Sequence, residues 1–266
     1  MNFKEPLTEN EVKQVELGIL DYIDSICRKH KINYFLDYGS LLGAIRHNGF
    51  IPWDDDIDIC MTRKDYDHFI SVFSNEEGAD YRLLSMETSA SYYYEFAKVV
   101  DSRTWLNETE TIDLPDLGVW VDVFPKDNLP KHHKLLKWII SVFVVCRVFA
   151  VYKKFPKKHS ILFYPVWLVA RLIGYKPFLK VTKHLSHIAL EKETPYIGDF
   201  RDLTAQRYSW DSKMFSKSIL VPFEGKEYPA PEDWDEYLKG LYGDYMKLPP
   251  EDKRIPHRFE AYWRSE

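Results

Sequence analysis

The stretch Trp53-Asp54-Asp55-Asp56-Ile57-Asp58-Ile59 sets acids among apolar, β-branched neighbours. Side chains alternate faces along a strand, so Asp56 and Asp58 project the same way while Ile57 and Ile59 turn to the core. Carboxylates held side by side repel, and both stay ionised cheaply only with a cation between them. A hard divalent ion such as Mg2+ takes oxygen ligands and meets that need. Val121-Asp122-Val123 repeats the arrangement downstream. A neighbouring strand would bring Asp122 to the same ions, and three carboxylates suit a two-metal site that clamps a transferring phosphoryl group. A bare pair of acids is more often a solvated turn or a helix cap. The β-branched alternation and the matching acid downstream point to metal here. Carboxylates alone do not choose Mg2+ over Mn2+.

Gly39-Ser40 falls between a short apolar run and a helical pattern. Backbone N–H groups at such a junction can cradle a phosphate, and glycine lets the backbone come close. A Gly-Ser pair by itself is only a turn; its place upstream of Asp56 gives it weight. Arg46 can reach the same anion, since a guanidinium suits bidentate phosphate contacts. A salt bridge to the acidic loop is the plainer reading of Arg46.

The elements that must position these residues read as follows. Thr8 and Glu11 have capping-box spacing, with Leu7 and Val12 placed for a hydrophobic staple. Val12, Val15, Ile19, Tyr22, Ile23 and Ile26 then recur at helical spacing to near His30. Tyr34 to Leu36 reads as a strand that stops at Gly39-Ser40, and Leu41 to Arg46 as a helix broken by Gly49 and Pro52. Ile57 to Met61 is the strand that carries the acids. Arg63 to Phe73 is a helix with Tyr66, Phe69, Ile70 and Phe73 inward. Phe96 to Val100 and Val119 to Phe124 are further strands, the second closed by Pro125. This order predicts an α/β (α+β) fold, a small mixed sheet flanked by helices.

The 266 residues, 45% of them hydrophobic, suffice for one sizeable core. The net charge of -5 argues against nucleic acid as a partner. Cys27, Cys60 and Cys146 stand apart, which fits a reducing compartment and gives no zinc motif. Residues 1–10 carry acids and no apolar stretch, so no secretory leader is expected. Between Asn128 and Leu190 there is no Asp or Glu, while Lys131, Lys134, Lys137, Arg147, Lys153, Lys154, Lys157, Lys158, Arg171, Lys176, Lys180 and Lys183 all fall there. Two apolar blocks, 138–152 and 161–173, lie inside this span, and neither offers the ~20 mainly apolar residues a spanning helix needs. Helices with apolar bodies and basic flanks can lie in a membrane interface, where anionic headgroups attract each cation by roughly 1 kcal/mol. A pair of helices covering the sheet, with a solvated basic face, is the plainer alternative. Lys134, Lys137, Ser141 and Arg147 fall along one face of the first. The domain reading is therefore a catalytic core over 1–130, a basic and apolar helical insertion over 131–190, and a C-terminal part over 191–266 that completes the core.

The run from Gly39 to Arg46, continuing from Gly49 through Ile59, resembles the signature of the LicD family of phosphocholine transferases and their relatives, the fukutin-related proteins among them. Lys98-Val99-Val100-Asp101 and Gly118 through Pro125 extend the resemblance. Tyr242-Gly243-Asp244-Tyr245-Met246, Leu248-Pro249-Pro250 and His257 extend it to the C-terminal end. It is looser over 131–190. The resemblance implies a nucleotidyltransferase-like fold, with Asp56, Asp58 and Asp122 as metal ligands and catalytic carboxylates. Gly39 and Ser40 would then hold donor phosphate. The interval from Ser40 to Asp56 is longer than in many members of that superfold, which leaves Asp54 open as a further ligand. The substrate-binding set implied is Gly39, Ser40, Arg46, Trp53, Asp54, Asp55, Lys98 and His257. Lys98 and Arg46 would neutralise leaving-group charge, and Trp53 would pack on a base or a quaternary ammonium.

The expected reaction is metal-dependent transfer of phosphocholine from CDP-choline to a sugar hydroxyl, with release of CMP. The acceptor would be a cell-surface glycan of teichoic acid or lipopolysaccharide type, or its lipid-linked precursor. Ribitol or glycerol phosphate is an alternative cargo. A metal-dependent glycosyltransferase and an inactive membrane-associated binding module are the remaining alternatives. The expected location is cytoplasmic, at the inner face of the cell membrane.

Overall fold

The computed structural model describes residues 3–76, 80–106, 110–129, 133–156, 159–190, 194–199, 209–254 and 260–264. In chain order these form β1 (Phe3–Pro6), α1 (Glu9–His30), β2 (Phe35–Leu36), α2 (Tyr38–His47), β3 (Ile57–Thr62) and α3 (Arg63–Phe73). Then come β4 (Tyr81–Leu84), β5 (Ala97–Asp101), β6 (Thr104–Leu106), β7 (Trp120–Asn128), α4 (His133–Val151), α5 (Tyr164–Ile173) and α6 (Tyr175–Leu190). The chain closes with β8 (Tyr196–Gly198), β9 (Trp210–Asp211), β10 (Ser218–Phe223), β11 (Lys226–Pro231), α7 (Trp234–Tyr242) and β12 (Ala261–Arg264).

The main sheet runs β2-β3-β7-β5-β4, with β8 joined to β7 and β9 to β8. Only β3 and β7 pair in parallel; every other pairing in this sheet is antiparallel. The sheet is therefore mixed, and helices flank it, which is the expected fold class. Ile57, Ile59, Val99, Val121 and Val123 are fully buried, as alternation along strands packed by helices requires. α1 buries Val12, Val15, Ile19, Ile23 and Ile26 on one stripe, and α3 buries Tyr66, Phe69, Ile70 and Phe73. The capping box is present: the Thr8 hydroxyl accepts from the Glu11 N–H, and the Glu11 carboxylate accepts from the Thr8 N–H. A separate sheet, β1-β12-β6, ties the two ends of the chain together.

Two boundaries differ from expectation. β7 runs through Pro125 to Asn128 instead of closing there. β5 pairs with β7 only as far as Val123, and β8 joins at Asp127, so Pro125 lies where one side of the strand has no partner and a missing N–H is tolerated. α2 begins at Tyr38, so Gly39 and Ser40 form its first turn and do not precede it.

α4, α5 and α6 pack on one another around clusters of their own, separate from the main core: Leu129, Ile140 and Val144 in one, Phe149, Ala150, Trp167 and Ala170 in the other. Arg147 does not share an open basic face with Lys134. It is buried, and its Nη1 donates to the Tyr93 carbonyl at 2.7 Å.

Candidate active site

Asp37 closes β2 and caps α2, its carboxylate accepting from the Tyr38 N–H at 2.9 Å. Tyr38 carries φ 40°, a left-handed backbone that a tyrosine adopts only under constraint. The constraint is visible. The Lys126 ammonium from β7 lies 2.6 Å from Asp37 and 2.9 Å from Asp199, and the Tyr38 ring covers it. The Tyr237 hydroxyl from α7 donates to Asp37 at 2.5 Å. This buried node presses the start of α2 against β3. There the Ser40 hydroxyl accepts from the Asp58 N–H at 2.8 Å, and the Asp37 N–H donates to the Asp58 carbonyl at 2.9 Å.

Register does the rest. Asp58 and Asp122 stand opposite each other across the parallel β3–β7 pair, and Lys98 stands opposite Asp122 across β5–β7. Asp56, just ahead of β3, exerts the largest charge effect on Asp58. Enclosure by protein, then the charges of Asp56 and Asp122, raise the Asp58 pKa well above the ordinary carboxylate range. Burial pushes Asp122 up to about 6, with Lys98 pulling the other way. Asp54, Asp55 and Asp56 each place a carboxylate oxygen within 4.8 Å of the others. Glu16 of α1 is buried beneath this cluster; burial and the charges of Asp56 and Asp55 raise its pKa well above normal.

Such a set of crowded carboxylate oxygens fits a hard divalent cation, which would offset both the burial of these charges and their mutual repulsion. Asp58 and Asp122 face each other across β3–β7 and Asp58 feels the charge of Asp56, while the oxygens that converge within 4.8 Å among the described residues are those of Asp54, Asp55 and Asp56. A Cβ at Gly39 would overlap the Asp54 carboxylate, so the first turn of α2 is in direct contact with the acidic loop.

Lys98 is nearly fully buried and faces Asp122, with Nζ 2.7 Å from Oδ1. Its ammonium sits 4.0 Å from the centre of the Trp120 ring, 5.0 Å from that of Tyr94 and 5.2 Å from that of Phe96. The aromatic box beside Asp122 thus holds the protein's own cation. Trp120 also donates to Asp122 through Nε1 at 3.2 Å.

Beside the acids opens a cleft of about 340 Å³ walled by Gly39, Arg46, Trp53, Asp54, Tyr242 and Lys247. Arg46 lines this cleft, and its Nη1 donates to the Tyr245 carbonyl at 2.7 Å and so holds the tail in place. The Arg254 guanidinium lies 5.1 Å from the centre of the Trp53 ring, and that of Arg46 6.0 Å. Tyr242 is partly open to solvent, but its hydroxyl is crowded by protein. That crowding and the fields of Asp58 and Asp37 raise its pKa. His257 lies outside the described residues. Lys126, Asp37, Asp199, Tyr237, Glu16 and Arg254 were not singled out from the sequence. No local motif marks them, because their partners come from distant segments.

A family model described as LicD/FKTN/FKRP, nucleotidyltransferase domain, matches residues 31–140. That range contains α2, the acidic loop, β3, β5 and β7. The chain is 33% identical over 267 residues to the lipopolysaccharide cholinephosphotransferase LicD of Haemophilus influenzae, an alignment that covers 96% of this chain and 98% of that protein. It is 25% identical over 116 residues to the ribitol 5-phosphate transferase FKRP of Homo sapiens, covering 36% of this chain and 23% of that protein. An uncharacterized protein of Rickettsia typhi is 42% identical over 55 residues, 21% of this chain and 18% of that one. With the carboxylates gathered on β3 and β7 and an alignment that runs nearly end to end, the chain belongs to the LicD family, as a phosphotransferase of that type.

Proposed function

We propose that the protein transfers phosphocholine from CDP-choline to a sugar hydroxyl of a cell-surface glycan or its lipid-linked precursor, releasing CMP. The observation that carries this reading is the Asp58–Asp122 pair, in register on parallel strands beside the Asp54–Asp56 cluster. The end-to-end similarity to a protein named a lipopolysaccharide cholinephosphotransferase supports the choice of cargo. Asp56, Asp58 and Asp122 would hold Mg2+ or Mn2+, which would neutralise the charge of the donor diphosphate.

The chain's own residues supply the rest. Arg46 and Arg254 bring positive charge to the cleft wall, where donor phosphates would lie against Gly39 and Trp53. The acceptor oxygen attacks the phosphorus that bears choline. The bond from that phosphorus to the bridging oxygen breaks, and CMP leaves with the electron pair. The hydroxyl proton passes to a carboxylate of the cluster, and Asp122 is the candidate to take it where it does not ligate metal. Lys98 keeps that carboxylate in place.

Ribitol phosphate is the second reading. It draws on the similarity to FKRP and on the aromatic box, which Lys98 fills and so does not offer to choline. The deciding assay follows CMP release from CDP-choline and from CDP-ribitol, with Mg2+ or with EDTA, for wild type and Asp58→Asn. Metal-dependent release from CDP-choline that Asp58→Asn abolishes supports the proposal. Release from CDP-ribitol alone moves the cargo to the second reading. Release unaffected by EDTA or by Asp58→Asn overturns the assigned site.

A further inference from the structure

A second surface is unlike the rest of the molecule. Residues 161–163 form one 3-10 turn that leads into α5, and Ile161, Leu162, Phe163, Leu168, Val169 and Leu172 all stand open to solvent. Leu162 and Leu172 are 83% and 80% exposed. Within α5 only Trp167 and Ala170 are buried, a narrow stripe three residues apart. A helix that is apolar around most of its circumference is normally enclosed by protein or by lipid, and contiguous apolar exposure of this kind marks an interaction surface. Against it lies an almost wholly apolar groove of about 350 Å³, walled by Cys146, Pro165, Val166, Val169, Ile173 and Phe178.

The charges name the occupant. No acid occurs between Asn128 and Leu190; exposed Lys154, Lys176 and Lys180 flank the apolar stretch in the chain and exposed Arg171 lies within it, while Lys153 and Lys183 pair with Asp113 and Glu87 from outside the span. A layer of anionic headgroups complements such a cationic flank beside an apolar helix. The ten residues of α5 rise ~15 Å, half the ~30 Å of a bilayer's hydrocarbon, and no helix among the described residues is long and apolar enough to cross a membrane. A short apolar helix with a cationic flank lies in the interface plane.

We propose that residues 161–173 dock flat into an anionic lipid bilayer, with an acyl chain filling the groove between α4, α5 and α6. The docked face has a fixed relation to the catalytic strands. Arg147 donates to the Tyr93 carbonyl, the Tyr175 hydroxyl donates to the Ser91 carbonyl at 3.1 Å, and Thr182 bonds Glu95. All three tie the insertion to the segment that leads into β5 and Lys98. Docking does not depend on which group is transferred, so it can stand if the proposed reaction fails.

The test is flotation of the full chain with vesicles of phosphatidylglycerol and phosphatidylcholine, and of phosphatidylcholine alone, at low and high salt. Wild type is expected in the vesicle fraction with the anionic mixture, and much less with phosphatidylcholine or at high salt. Leu162→Asp/Leu172→Asp changes two fully open side chains and is expected to keep the wild-type melting curve while losing at least tenfold in vesicle binding. Lys176→Glu/Lys180→Glu is expected to lose binding to the anionic vesicles only. Wild type absent from every vesicle fraction overturns the proposal, as does a Leu162→Asp/Leu172→Asp protein that floats like wild type. A lipid-free dimer of wild type that the same double substitution dissolves also overturns it, since a second copy would then be the occupant.

Discussion

An ionised Asp58 sits against the charges of Asp56 and Asp122, and its pKa is raised well above the ordinary carboxylate range by enclosure first and by those charges second. The unfolded chain has no such penalty, so its Asp58 loses the proton at about pH 3.9. With the folded pKa above the unfolded one, the stability linked to this proton is fully present below about pH 4 and is lost as pH rises through the folded pKa. In the absence of metal, Asp58→Asn is therefore expected to raise Tm at pH 8 and leave it unchanged at pH 4. Turnover should fall by ~100-fold or more, the scale of losing a group that acts only on the reacting centre. Thermal melts in EDTA and CMP release assays check the two halves; a lower Tm at pH 8 would deny that charge crowding is the cost. Lys98 makes the opposite case. It is the buried cation of Asp122, and its removal leaves that carboxylate uncompensated. Lys98→Met is expected to cost about 3 kcal/mol at pH 7.5 by urea unfolding. Because Asp122 then takes its proton at a pH above the present value of about 6, the loss should shrink at pH 5.

At the scale of elements, α2 meets its surroundings through two glycines with different neighbours. A Cβ at Gly39 would overlap the far end of the Asp54 side chain, which can swing away. A Cβ at Gly43 would overlap the Gly49 backbone carbonyl, which cannot. Gly39→Ala is thus expected to displace a carboxylate of the site, so that metal affinity and kcat fall while Tm stays near wild type. Gly43→Ala is expected to push α2 off the loop that follows it and to cost ~2 kcal/mol or more, as overpacking against a fixed backbone does. Metal titration and thermal melts on the two variants separate the effects. Much of this level was legible in the sequence. The α1 cap, α3 with its inward face, and the strands carrying Asp58 and Asp122 follow from local periodicity. The pairing of Asp58 with Asp122 rests on the alternation of polar and β-branched residues on both strands. β7 overran Pro125 because the cost of a missing N–H depends on whether a neighbouring strand lies alongside, and no local pattern reports that. The open apolar face of α5 was half legible, since composition showed the cation-rich, acid-free span but not which residues the fold would leave uncovered.

At the scale of the whole molecule, what the sequence hides is where its distant parts meet. Lys126, buried on β7, binds Asp37 at the head of α2 and Asp199 after β8, while Tyr237 of α7 bonds Asp37. Four segments spanning two hundred residues converge on one ammonium, beside the strained Tyr38 and on the same strand as Asp122. Burial alone would lower the Lys126 pKa; Asp199 and Asp37 outweigh it and raise the pKa well above normal. The stability this group contributes is therefore fully present at neutral pH and is lost only as pH rises through the raised folded pKa. Lys126→Met should expose two buried carboxylates to each other and cost about 3–5 kcal/mol, the scale for breaking a buried pair by removing one partner. Asp199→Asn removes only one of the two acids, so the ammonium keeps Asp37. If the node couples the C-terminal segments to the catalytic sheet, the double variant Lys126→Met/Asp199→Asn should be less damaged than the two single losses summed, by on the order of 2 kcal/mol. Urea unfolding followed by both tryptophan fluorescence and far-UV circular dichroism gives the cycle. Additive losses would make Lys126 a set of independent contacts, and two separated transitions would show that α7 and the tail do not depend on the sheet that carries the acids.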